Sequence, residues 1–322
     1  VHVWGHCWVV LCVMVKFPWA VQPWALPVLA ALYRPREVND AEGRRHKTPP
    51  QLARGLMAVL MSWFPQRYFV FLGDGGFASH ELAGFCAKYG DRCCLISKGA
   101  PDLRLFDPPP PYSGKGRPRV KGRQRAQPQA VVARGGLIEQ TVCWAGRDNH
   151  LVKTASASAH WYRCGAGLVP LVWVFIHDVS GTHRDEYLFC TAPGKFTTAQ
   201  IIAFYTQRWR IEVTFQEAQQ QLGFASPRNW CENAVLRTAP ILLGLYSVVC
   251  LIFHEHQKHH TITPTNRPGY IKTSVTFIDV LATVRSLFWK QTVFTQPPFA
   301  SLFQNIKLKH QILLLRHLTH AV

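Results

Sequence analysis

Strand-length apolar runs alternate with helical periodicities over the first third of the chain. Residues 7–17 are β-rich and apolar but for Lys16, the pattern of a strand buried on both faces. Pro18, Pro23 and Pro27 break the chain after it. Residues 28–33 resume as a short apolar segment before a charged loop over 34–47. Apolar positions at Leu52, Leu56, Val59, Leu60 and Trp63 predict a helix over 49–64, with Thr48 as its cap. Residues 67–72 then read as a buried strand ending at Gly73-Asp74-Gly75-Gly76-Phe77. A helix over 79–89 is closed by Gly90, and 93–97 is the next strand. Strand, helix, strand in that order is an α/β crossover, and ligands sit at the carboxyl ends of such strands.

The pattern changes at Asp107. Four prolines, Pro108 to Pro111, lead into Lys115, Arg117, Arg119, Lys121, Arg123 and Arg125, interleaved with Gly114, Gly116, Pro118 and Gly122. Such a stretch buries no core and is expected to be a mobile basic loop that tracks phosphates, or a solvated linker. Alternating segments at 131–144, 151–162, 168–178 and 186–191 then predict a small antiparallel sheet. Residues 204–219 contain no Gly or Pro and read as a helix that Thr197 or Thr198 can cap. Residues 239–253 predict an apolar helix forming a buried back wall, 261–269 a linker, and 277–289 an amphipathic helix. In that last helix Phe277, Val280, Leu281, Val284, Leu287 and Phe288 point inward and Arg285 outward.

Charge narrows the partner. The 322 residues carry a formal net charge of +18 with pI near 9.8, beside 48% hydrophobic residues. A globular protein with that excess is matched to a polyanion, nucleic acid before an anionic membrane surface. The ten cysteines form no C-x-x-C pair and most lie in apolar runs, which favours a reduced, intracellular protein over a disulfide scaffold. His254, His256, His259 and His260 cluster beside Glu255 without a cysteine pair to complete a zinc pattern. No apolar run approaches a membrane span, and residues 9–15 lack the basic start of a signal peptide.

Two acidic residues stand out. Asp74 lies at a strand's carboxyl end between glycines that admit a phosphate, which suits a metal ligand or an ordinary Asp-Gly turn. On the helix over 204–219, Tyr205, Arg208, Glu212 and Gln219 share one face beside an apolar stripe of Ile211, Phe215 and Leu222. There a carboxylate can face a hard cation while an arginine grips a phosphate, or the two can form an i, i+4 surface pair. Gly73-Asp74-Gly75-Gly76-Phe77-Ala78 also satisfies the dinucleotide pattern G-x-G-x-x-A, with Asp91 near the ribose position. An aspartate inside that loop would, however, repel a pyrophosphate.

The run Tyr205, two residues, Arg208, three residues, Glu212, with Trp209, Ile211, Phe215 and Leu222-Gly223, resembles the signature of DDE transposases of bacterial insertion sequences. The likeness extends loosely from Gly5-His6-Cys7-Trp8 to about Trp289. Gln219 stands where that family has a lysine. The resemblance implies an RNase H-like mixed sheet flanked by helices, with an inserted antiparallel β subdomain before the last catalytic helix. It implies metal-dependent DNA cleavage and strand transfer, with Asp74 and Glu212 as metal ligands for Mg²⁺ or Mn²⁺. Tyr205, Arg208 and Trp209 would position double-stranded DNA at transposon ends, with Lys98 and Arg104 as further phosphate contacts. A homodimer on paired ends, a cytoplasmic, nucleoid-associated location and no membrane partner follow from the same likeness. The expected organisation is a core over 1–99 lacking its opening strand, the β insert over 100–196, core helices over 197–260, and a basic helical tail over 261–322.

The resemblance also calls for a first aspartate on an opening strand. Nothing acidic precedes Lys16, and Asp40 falls in a charged loop after the wrong strands, so a truncated copy is expected. Asp178 precedes Glu212 at a spacing close to that of retroviral-type integrases, but it falls within the inserted sheet and is set aside as a ligand. The competing reading is a DNA-binding protein without catalysis, a remnant or a regulator.

Overall fold

The computed structural model describes residues 5–226, 231–260, 272–293, 295–296 and 299–320. The expected linker over 261–269 lies outside these, as do Val1 to Trp4 and Trp230. The chain forms two compact units, one of Val1–Leu11 with Ala30–Trp209, the other of Cys12–Leu29 with Arg210–Val322. Strands β1 (Cys7–Val15) and β2 (Trp24–Tyr33) pair as a separate two-stranded sheet. With one partner each they are mostly half-buried, so β1 is not the doubly covered strand its sequence suggested. Pro27 is carried inside β2, where an edge strand tolerates a missing N–H.

In the first unit, α1 (Arg36–Ala41) occupies part of the expected charged loop, and α2 (Pro49–Trp63) follows Thr48. The Gln51 side chain accepts the Thr48 N–H at 3.1 Å. This helix buries Met57, Leu60 and Met61 and leaves Val59 and Trp63 exposed, a narrower core face than the apolar periodicity implied. Strand β3 (Phe69–Gly73), helix α3 (His80–Lys88) and strand β4 (Cys93–Lys98) form the crossover, with β3 and β4 parallel. Ser79 caps α3 by accepting the Leu82 N–H.

After β5 (Leu105–Phe106) and the short α4 (Pro128–Val132) come β6 (Ile138–Trp144), β7 (Arg147–Arg163), β8 (Gly167–Asp178) and β9 (Glu186–Cys190). These antiparallel strands continue the sheet of β3 and β4. The order is β3-β4-β9-β8-β7-β5 with β6 on β7, a single mixed sheet of seven strands. The join is β4 against β9, with Ile96 opposite Cys190 and the Thr191 hydroxyl accepting the Leu95 N–H at 2.9 Å. Helix α5 (Thr198–Gln207), capped by Thr197, lays Ile201, Ile202 and Tyr205 on Cys94, Ile96, Val174 and Leu188. The fold class is thus the mixed α/β one that an RNase H-like domain requires.

The second unit centres on α7 (Glu232–Gln257), which follows α6 (Arg210–Leu222). Tyr246, Val249, Cys250 and Phe253 pack with Phe17, Leu26, Ala218 and Phe277. Only one face of α7 is a wall, since Ile241, Leu245, Val248 and Ile252 are exposed. By length and composition alone this helix is apolar enough to cross a membrane, which the sequence reading did not expect, although its inner face serves as a core helix. Helix α8 (Phe277–Phe288) buries Phe277, Val280 and Leu281 but exposes Phe288, expected inside. Helices α9 (Phe299–Gln304) and α10 (Leu308–His320) complete the described residues.

Gly73 is the tightest point of the crossover. A Cβ there would lie 2.9 Å from the Phe77 Cβ and 3.3 Å from the Ser97 hydroxyl. Gly73→Ala is expected to lower stability by about 1–3 kcal/mol, because the Phe77 Cβ is fixed to the backbone of the turn after β3 and Ser97 is held in β4. Urea denaturation of the two proteins checks this, and equal midpoints would show that the turn relaxes.

Candidate functional site

Strand β3 delivers Asp74 to the carboxyl edge of the parallel pair. Gly73 is in register with Ser97, whose buried hydroxyl donates to the Asp74 carbonyl at 2.9 Å. Asp74 then caps the single 3₁₀ turn Gly75–Phe77, its Oδ1 accepting the Gly76 N–H at 2.8 Å. A Cβ on Gly76 would sit 3.2 Å from that oxygen, so the turn is tight as well as exposed. Among the described residues Oδ2 has no hydrogen-bond partner. This 3₁₀ turn, and not a helix N-terminus, lies within the G-x-G-x-x-A run, since α3 begins only at His80. The dinucleotide pattern therefore lacks the helix dipole that a pyrophosphate would need.

On the neighbouring strand Lys98 ends β4 and pairs with Glu186 at 3.3 Å. Glu186 opens β9, which runs antiparallel to β4 with Leu188 opposite Lys98. Tyr205 comes to the same edge from the last turn of α5. Burial pushes its hydroxyl above the ordinary tyrosine range and Glu186 adds to that rise. Arg208 opposes it by charge and a hydrogen bond, and Asp74 raises it again. The Arg208 guanidinium lies 5.7 Å from the Tyr205 ring centre. The first unit therefore gathers Asp74, Lys98, Glu186, Tyr205 and Arg208. Glu186 escaped the sequence reading, where it was only the polar start of an apolar alternating run; its position across from a strand-ending lysine appears only with the β4–β9 register.

The helix expected over 204–219 is interrupted. Helix α5 ends at Gln207, Arg208 and Trp209 form a turn, and α6 begins at Arg210. The Arg208 N–H bonds to the Tyr205 carbonyl at 3.0 Å, the tightened closure common at a helix end. Trp209 is 57% exposed in that turn. The β6–β7 hairpin is tied to the same helix end, with the Ala145 N–H donating to the Thr206 hydroxyl at 2.9 Å. Glu212 belongs to the second unit, half-buried in the first turn of α6. The face that α6 buries carries Thr214 and Ala218, with Leu222 of the expected stripe packed on the same core, whereas Ile211 and Phe215 are only half-buried. The Thr214 hydroxyl donates to the Ala25 carbonyl at 2.8 Å, and small residues let the helix approach β2 closely. Gln219 is exposed.

The basic segment is anchored at its base. Asp107 and Arg123 pair through the Asp107 N–H, Arg125 N–H bonds to the Leu105 carbonyl, and Gly122 N–H bonds to the Asp107 carbonyl. Lys121 lies over the Phe106 and Tyr162 rings at 4.1 and 4.3 Å. Arg125 bonds to the Asp107 carboxylate at 2.5 Å and the Ser158 carbonyl at 2.7 Å. Lys115, Arg117, Arg119 and Arg123 are exposed, as is Arg104 before β5.

Asp178 ends β8, within the antiparallel strands, and its carboxylate is consumed locally. Oδ1 accepts from Ser180 N–H and His150 Nε2, and Oδ2 from the Thr182 hydroxyl and His183 N–H, all within 3.0 Å. The Ser180 hydroxyl reaches both oxygens at 2.8 Å. Burial alone would raise its pKa, but these donors outweigh burial and hold it well below the usual carboxylate range. A carboxylate so enclosed shapes the β8–β9 loop and has little left for a metal. Among the described residues no group of three or more His, Cys, Asp or Glu is placed to hold a metal ion.

A family description, Transposase DDE domain, matches residues 45–234, which is more than half of the chain and spans both Asp74 and Glu212. A search of curated proteins gives no match.

The enclosure of Asp178 has a measurable sign. Its folded pKa lies below the unfolded value of about 3.9, so its stabilisation is present above that pH and is lost as pH falls through the folded value. Asp178→Ala is expected to cost about 2–4 kcal/mol at pH 7, with a smaller gap at pH 3. Urea melts at both pH values check it. A gap that widens on acidification would contradict the assigned role.

Proposed function

The chain belongs to the transposase DDE-domain family, and from that premise we propose that it is an insertion-sequence transposase that cuts and joins DNA at transposon ends. Transposase activity, a DNA substrate and divalent-metal dependence come with the family. The finer reading assigns Asp74 and Glu212 as two of the carboxylates that hold Mg²⁺ or Mn²⁺. What carries it is Asp74, an exposed carboxylate with one oxygen used by Gly76, at the edge that also gathers Tyr205 and Arg208. Hard oxygen donors of this kind suit such cations. Ions held by Asp74 and Glu212 would supply Lewis-acid activation of a water or a 3′-hydroxyl and charge stabilisation at the leaving oxygen.

The chain's own residues do the rest. Arg208, hydrogen-bonded to the Tyr205 hydroxyl, grips a phosphate beside Asp74, and exposed Trp209 lies next to it for contact with a base or sugar. Lys98 and Arg104 extend the phosphate track. Lys115, Arg117, Arg119 and Arg123 supply sequence-independent affinity, with Lys121 and Arg125 anchoring their segment. Within this reading residues 100–196 are the insert, 197–260 the helices that bring Glu212, and 261–322 a basic tail, with two copies acting on paired ends.

Iron-mediated backbone cleavage tests the metal assignment without requiring turnover. Fe²⁺ with ascorbate and peroxide is expected to cut the chain near residues 74 and 212, with Mg²⁺ competing, and Asp74→Asn is expected to abolish both cuts. In a chain reconstructed with the expected opening-strand aspartate, Mn²⁺-dependent nicking of a duplex carrying transposon ends should fall on the order of 100-fold or more in Asp74→Asn and Glu212→Gln. Nicking that survives Asp74→Asn would remove that residue from the site. Salt-sensitive DNA binding with no metal-dependent cut in any form of the chain would favour the non-catalytic DNA binder.

A further inference from the structure

The edge that gathers the Asp74 group is electrostatically balanced by a residue outside the family signature. Asp74 follows β3, Lys98 ends β4 and Glu186 opens β9, on three adjacent strands. With neighbouring strands about 4.8 Å apart, β4, which Lys98 ends, lies between the two strands that carry the carboxylates. It is drawn to Glu186 at 3.3 Å, while the Gly99 N–H bonds to the Tyr187 carbonyl at 2.6 Å and holds the start of β9 against the end of β4. The Tyr205 hydroxyl lies within electrostatic reach of Glu186, Arg208 and Asp74 together. Two cations, Lys98 and Arg208, therefore oppose two carboxylates, Asp74 and Glu186.

We propose that Glu186 is a positioning residue that holds Lys98 in reserve and makes phosphodiester binding at this edge conditional on a divalent cation. A phosphate that draws Lys98 away leaves Glu186 and Asp74 facing it with uncompensated charge. A divalent cation at the edge supplies that missing charge, and the exchange then runs forward. The Lys98 side chain is 48% exposed and that of Glu186 28% exposed, so the pair is weak enough to be exchanged. This inference rests on the reading that Asp74 faces a cation, but it assigns to Glu186 a role that reading does not contain.

The test is DNA affinity in Ca²⁺, used in place of Mg²⁺ to separate binding from cleavage, against affinity in EDTA. The probe is a fluorescein-labelled random-sequence duplex. The full chain carries Lys115→Gln, Arg117→Gln, Arg119→Gln and Arg123→Gln to suppress diffuse binding. The parent is expected to bind on the order of tenfold tighter in Ca²⁺. Glu186→Gln should gain about that factor in EDTA and lose most of the cation dependence, whereas Glu186→Asp should behave as the parent. Glu139→Gln, which removes an equal charge from an ion pair with Lys153 at the other side of the sheet, should change neither. Lys98→Met should lower affinity in Ca²⁺ and reduce the log–log salt slope by about one. Parent-like EDTA affinity in Glu186→Gln, or the same gain in Glu139→Gln, overturns the proposal. If Asp74→Asn leaves the cation dependence intact while Glu186→Gln removes it, the Glu186 role stands and the metal assignment of Asp74 falls. The reverse pattern sinks the Glu186 role alone.

Discussion

Strand β4 has two unlike neighbours, and the chemistry of the first unit depends on both. Against β3 it pairs in parallel, which brings Ser97 under the Asp74 carbonyl and fixes where β3 releases its carboxylate. Against β9 it pairs antiparallel, which sets Glu186 beside Lys98. Its residues Cys93 to Ser97 are buried on both faces, and a slip of one residue would draw the Lys98 charge into the interior and is strongly disfavoured. The positions of Asp74, Lys98 and Glu186 thus follow from hydrophobic register before any ligand is considered.

The same constraint explains how a long antiparallel addition to the sheet joins the parallel pair. Strands β6 to β9 do not stand apart as a second layer. They hydrogen-bond onto the β4 edge and continue the sheet, which satisfies the backbone groups of an otherwise open strand. Asp178 belongs to that addition, and its carboxylate closes the loop that returns the chain to β9. A residue that resembles a catalytic acid by spacing is here a structural one by its hydrogen bonds.

Electrostatics divide into two kinds. The diffuse excess of +18 draws the chain to a polyanion and is concentrated in exposed cations such as Lys115, Arg117 and Arg119. The edge near Asp74 is different, with opposite charges matched one to one around a buried tyrosine hydroxyl. Diffuse charge supplies encounter and salt-dependent affinity.

Much was legible in the residues themselves. The β3–α3–β4 crossover, the position of Asp74 at its carboxyl end, the threonine cap at Thr197, and the basic segment all follow from local chemistry. So does the family, because Tyr205, Arg208 and Glu212 keep a recognisable spacing. Three features required the tertiary structure. Arg208 and Trp209 break what reads as one helix, because helix propensity does not register a turn. Thr214 and Ala218 form the buried face of α6, because close approach to β2 selects small side chains over large apolar ones. Glu186 joins the Asp74 group only through the register of two strands distant in sequence. Local pattern determines which elements form; pairing between remote elements decides which charges meet.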